Sequence, residues 1–110
     1  MAEKEWYPFQ VGATLGQKGS EEGTILCDEE HPLGARITLE RDGHTPFAIT
    51  CGIYGWMAHT RFFGVEKEAS SEYLLMKNAL SELLERASKS ADGGHEVLMD
   101  GAHRFVDSYP

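Results

Sequence analysis

Arg36, Thr38, Thr50, His59 and Arg61 alternate along the middle of this chain, and on neighbouring β-strands they would share one face of a sheet. Two guanidinium groups beside hydroxyls can hold a carboxylate or phosphate, and an imidazole among them can give or take a proton. Gly52 would leave room above the sheet opposite His59. The ordinary structural reading is a solvated face on which Arg61 pairs with Glu40, because antiparallel sheets often expose one side, or a face that the aromatic N-terminal arm lies across.

A second constellation is a thiol with a base, Cys51 and His59. The strand pairing developed below puts them on opposite sides of the sheet, which favours a buried structural cysteine. Cys27 and Cys51 fall on the first and third strands of that pairing, too far apart for a disulfide, so both are expected as free thiols. His31, His44, His59, His95 and His103, with Asp28, Glu29, Glu30 or Asp42, supply metal-ligand types but no HxH, HExxH or CxxC spacing. No metal and no cofactor are expected. Gly12, Gly16 and Gly19 punctuate a loop without the Gly-Lys-Ser/Thr ending of a phosphate cradle.

The last constellation is aromatic. Trp6, Tyr7 and Phe9 lie near one end, while Tyr54, Trp56 and Met57 surround a tight turn, and these residue types are common in interface hot spots. Trp6 and Phe9 serve equally well as core. A tryptophan in a turn needs a partner or a covering segment.

Four segments must position these groups: Thr24 to Asp28, Ala35 to Arg41, Phe47 to Tyr54, and Met57 to Phe63, three of them alternating with period two. Glu29-Glu30-His31-Pro32 and Asp42-Gly43-His44-Thr45-Pro46 separate the first three, and Gly55-Trp56 reads as a two-residue hairpin turn. With Tyr54 opposite Met57, Ile53 faces Ala58, Cys51 faces Thr60 and Ile49 faces Phe62. Ala35, Ile37, Leu39, Ile25 and Cys27 complete that apolar side. Ala69, Tyr73, Met76, Leu80, Leu83, Leu84 and Ala87 form one stripe of a helix over 66–90, ended by Asp92-Gly93-Gly94. Leu98, Ala102, Phe105, Val106 and Tyr109 predict a second, short helix over 95–108.

The expected architecture is one α+β domain over 1–110: an N-terminal arm or edge strand with a Gly-rich loop (1–22), a four-stranded antiparallel meander (23–63), a long amphipathic helix on one face and a short C-terminal helix. A length of 110 residues suits one core. Ten basic against eighteen acidic residues, a net charge of −8, disfavour nucleic acid and anionic lipid. No apolar run spans a bilayer and no secretory leader opens the chain, so the expected site is the cytoplasm. The leading functional reading is a non-catalytic protein-binding or regulatory module, a homodimer or the partner of another protein. It would use the sheet face and the Tyr54, Trp56 and Met57 hairpin. The rival is a small-anion-binding domain or minor enzyme built on Arg36, His59 and Arg61.

Overall fold

The computed structural model of the protein describes residues 5–110. The apolar alternation of its middle third becomes an antiparallel sheet in the order β1-β2-β3-β4-β5, every strand pairing with its sequence neighbours. These are β1 (Tyr7–Pro8), β2 (Thr24–His31), β3 (Ala35–Arg41), β4 (Phe47–Ile53) and β5 (Met57–Phe63). Two helices follow, α1 (Glu66–Ser88) and α2 (His95–Ser108). The sheet therefore has five strands rather than four. Tyr7 pairs with Glu30 and Pro8 with Glu29, an edge position where the missing N–H of proline is tolerated.

Ala35, Ile37 and Leu39 on β3 pair with Ile53, Cys51 and Ile49 on β4, so six buried side chains point to one side. Against them lies the stripe of α1, in which Ala69, Met76 and Leu80 are wholly buried, and α2 adds Ala102 and Phe105. Burial of each such large aliphatic side chain contributes about 1.5–3 kcal/mol, which makes this face the main source of stability. Asp92 shapes the corner between the helices by accepting the N–H groups of Gly94 and Glu96 at the start of α2.

Two strands depart from the expected pairing. Ile53, not Tyr54, is opposite Met57, and Cys51 is opposite His59. The connection is a three-residue one: Trp56 N–H donates to the Ile53 carbonyl at 2.9 Å, and Gly55 takes φ +82, the left-handed conformation that a third turn residue needs. One extra loop residue turns the whole strand over. Met57, His59, Arg61 and Phe63 thus face the helices, while Ala58, Thr60 and Phe62 face away. On β2 a bulge at Leu26 lets Cys27 remain on the helix side, opposite Leu39, but moves Ile25 to the other side, opposite Glu40.

That second face is not simply solvated. Residues 9–23 cross its β2–β3 half, where Phe9 meets Arg36, Thr14 meets Asp28 and Gly23 meets Glu40, and Ile25, Asp28 and Glu40 are buried there. The Glu40 carboxylate accepts the backbone N–H groups of Glu21 at 3.2 Å and Gly23 at 3.0 Å, so the Gly-rich loop does cradle an anion, one supplied by the chain itself. Glu40→Ala would leave two amides without a partner, and we expect a loss of about 2–3 kcal/mol in urea unfolding. A loss below about 0.5 kcal/mol would show that the clamp is idle.

Candidate functional site

The second face brings Arg36, Thr38 and Thr50 together, as their alternation requires, and joins them to residues of the crossing segment. Arg36 donates from Nε and one terminal nitrogen to both oxygens of Asp28, at 2.8 and 2.6 Å, and Thr14 donates to the same carboxylate at 2.8 Å. The guanidinium lies 3.6 Å over the Phe9 ring. Thr38 donates to the Thr50 carbonyl, and the Thr50 and Thr60 hydroxyls meet at 3.2 Å. The Asp28 hydrogen bonds raise the Arg36 pKa further, so its fork is charged and already occupied. Between the loop at Thr14 and Lys18 and the hairpin at Tyr54 and Ala58 runs a groove of about 560 Å³, floored by Thr50 and Gly52.

His59 and Arg61 are on the opposite face, so the proposed cluster of Arg36, His59 and Arg61 is not assembled. The reversed register of β5 is the reason. His59 Nε2 bonds the Tyr109 carbonyl. Arg61 donates to Glu72 at 2.7 Å, not to Glu40, and to the Pro110 carbonyl at 3.2 Å. Both residues fasten the end of α2 and the flank of α1 to β5.

Cys51 and His59 do share a face, contrary to the expected pairing, yet no hydrogen bond links them among the described residues. Burial pushes the Cys51 thiol up to about 12, far from the thiolate that nucleophilic chemistry needs. Cys27 is raised as well, first by burial, and both cysteines are free. Iodoacetamide at pH 8 should therefore label Cys51 only through unfolding, at a rate that rises with urea. Rapid native labelling of Cys51 would contradict this burial.

A cluster of Ser81, His31 and Glu5 looks at first like hydrolytic machinery. Its geometry is wrong for that role. Ser81 and Glu5 both meet the same ring nitrogen, Nε2, at 3.1 and 2.7 Å, while Nδ1 accepts the Leu33 N–H. A nucleophile and its orienting acid must sit on different nitrogens. With Ser81 wholly buried, the cluster instead ties the N-terminal segment to α1 and β2. Lys77 and Tyr73 also tie α1 to β2 by binding Glu29, at 2.9 and 2.8 Å. Among the described residues, no three metal-ligating side chains gather, and no helix is long and apolar enough to cross a membrane.

The aromatic constellation fares differently. Trp6 is core, edge-on to His31 at 5.1 Å between ring centres, and Phe9 lies under Arg36. Tyr54 and Trp56 are exposed, at 53% and 37%, while Met57 is half-buried against the core. Tyr7 and Tyr54, from the two flanks of β2 and β3, both donate to Glu30, at 2.9 and 2.6 Å. Trp56 packs edge-on against His95 at 5.1 Å and, with Met57 and Met99, walls a cleft of about 270 Å³ against α2. The turn carrying exposed Leu33 joins this end through the Tyr54 N–H, which donates to the Gly34 carbonyl. Tyr7, Leu33, Tyr54, Trp56 and Met99 thus lie at one end of the sheet, Tyr7 and Tyr54 about Glu30 on the second face and Trp56 and Met99 toward α2. Leu33 and Met99 were missed from sequence, where they stand at positions at which an apolar side chain is surplus to the core stripes, and Glu30 was weighed there only as a metal ligand.

Compared with known proteins, the chain matches no family model, no curated protein and no solved structure.

Proposed function

We propose that this chain is a non-catalytic protein-binding module, regulatory through what it occupies, whose contact surface is the turn end of the sheet: Tyr54 and Trp56, flanked by Tyr7, Leu33 and Met99. The observation that carries this reading is that exposed apolar side chains from separate elements are held in place there, Tyr7 and Tyr54 by Glu30 and Trp56 by His95. Aromatic anchors already fixed in position lose little entropy on binding, as hot-spot residues should. Met57 supports the hairpin from within. The inert Cys51 thiol and the occupied Arg36 fork speak for binding rather than catalysis. With both cysteines as thiols, the cytoplasm is the compartment that suits it.

Panning a library of extended peptides against the full chain tests this. Trp56→Ala should weaken the selected peptides about tenfold or more, while unfolding free energy changes by about 1 kcal/mol or less. Phe62→Ser, on β5, should leave their affinity unchanged. Equal binding by Trp56→Ala would remove the hairpin from the surface, and a large stability loss would make Trp56 part of the core.

A second reading has its own observation. β5 is the last strand of the sheet, and Phe62 on it is 53% exposed, so two copies could pair edge to edge into a homodimer. Light scattering decides: a dimer that Phe62→Lys dissociates supports this, and a monomer at every concentration removes it.

A further inference from the structure

Glu30 is a carboxylate fixed in place by two tyrosine hydroxyls, and among the described residues no salt bridge joins it. Its Oε1 accepts the Tyr7 hydroxyl and its Oε2 the Tyr54 hydroxyl. A carboxylate offers about four acceptor positions, so each oxygen keeps one open. Among the described residues no cation pairs with Glu30: the neighbouring Arg36 is turned into Asp28 and over Phe9, and Lys77 is taken by Glu29. The Tyr54 and Tyr7 hydrogen bonds hold its pKa below the usual carboxylate range, so the group is charged near neutral pH. Tyr54 is itself pushed up to about 12, first by burial, and remains a neutral donor.

The surroundings add a second attraction. Both tyrosine rings are exposed, at 43% and 53%, and aromatic faces bind cations. The whole chain carries −8, which draws a basic partner rather than an acidic one. Beside Tyr54 the groove past Gly52 and Ala58 is open for the backbone on either side of such a cation.

We infer that Tyr7, Glu30 and Tyr54 form a receptor for a guanidinium group, the side chain of an arginine in an extended basic segment of the protein partner. One open position on each carboxylate oxygen matches a planar fork better than the point charge of an ammonium. This rests on the binding-module reading and adds the chemistry of the partner to it.

The test uses N-acetyl-arginine N-methylamide as probe and N-acetyl-norleucine N-methylamide as its uncharged counterpart, each titrated into the full chain and followed by NMR. The arginine compound should shift the Tyr7 and Tyr54 ring signals and the Glu30 amide saturably, with a Kd on the order of millimolar. Added salt should weaken it. Glu30→Gln should weaken it about tenfold. Since that variant also loosens the hydrogen bonds that hold Tyr7 of β1 and Tyr54 of the hairpin turn, the contrast between the two probes on the wild-type chain is decisive by itself. Equal shifts from both compounds, or none from arginine, overturn the guanidinium receptor. If library-selected peptides still depend on Trp56 in that case, only the cation site falls; if they ignore Trp56 as well, the binding-module reading falls with it.

Discussion

Arg36→Ala is expected to destabilise the fold by about 3–5 kcal/mol, the usual result of removing one partner from a buried ion pair. The asymmetry of the pair sets this size. The Asp28 side chain is fully buried and the Arg36 side chain is 35% exposed, so the aspartate depends on the arginine more than the reverse. Without Arg36, Asp28 keeps one side-chain hydrogen bond from Thr14 and, among the described residues, no ion-pair partner. Phe9 also loses the guanidinium stacked on it, and with it part of the seat of the crossing segment. Asp28→Ala should cost less, because a freed Arg36 can reach water. The double variant should fall well short of the sum of the two, since both single changes break one interaction. Urea unfolding of the four chains measures this cycle, and additive losses would show that the pair is not coupled.

Gly43→Ala should be nearly as damaging, at about 3 kcal/mol, although alanine is the smallest possible addition. A Cβ at position 43 would stand 2.3 Å from the Glu21 carbonyl oxygen and 2.6 Å from the Gly23 nitrogen. Both are backbone atoms that cannot swing aside. Glu21 and Gly23 are also the residues whose amides grip Glu40, and the Glu21 carbonyl accepts the His44 N–H. Relief of the clash must therefore lift the loop from the sheet or break the turn after β3. Faster hydrogen exchange at Glu21 and Gly23 should accompany the loss. Unchanged stability with those amides still protected would mean that the approach is looser than described.

Much of this architecture is legible in the sequence wherever one alternation is clearly more apolar than the other. On β3 the choice between Ala35, Ile37, Leu39 and Arg36, Thr38, Glu40 admits one answer, as does the helical stripe from Ala69 to Ala87. The strand β5 admits two. Ala58, Thr60 and Phe62 look like the buried set, yet the long stems of Met57 and Arg61 can cover apolar surface while a charged end finds Glu72. Only the loop length separates the alternatives, and Tyr54 reads equally well as strand or turn. The anion cluster of Arg36, His59 and Arg61 depended on that single residue.

The second face failed for a different reason. Asp28 and Glu40 are carboxylates, and nothing local marks a carboxylate as buried when its partners are a distant arginine or the amides of a glycine loop. The bulge at Leu26 likewise leaves no periodic trace, whereas the edge strand β1 falls within the N-terminal arm or edge strand expected over 1–22. For the candidate surface, the sequence places Tyr54 and Trp56 in a turn, and both are exposed. What could not be read is their company. Tyr7, Leu33 and Met99 come from elements far apart in the chain, and Glu30 looks like any solvated acid before a Pro-containing turn until two hydroxyls are found upon it.

The most direct test of the proposed binding surface is an NMR map of the full chain carrying a library-selected peptide. The largest shift changes are expected at Tyr7, Leu33, Tyr54, Trp56 and Met99. Changes centred on Phe62 and Val65 beside the β5 edge, or on Leu74 and Leu75 of α1, all of them exposed apolar residues, would place recognition elsewhere and contradict it.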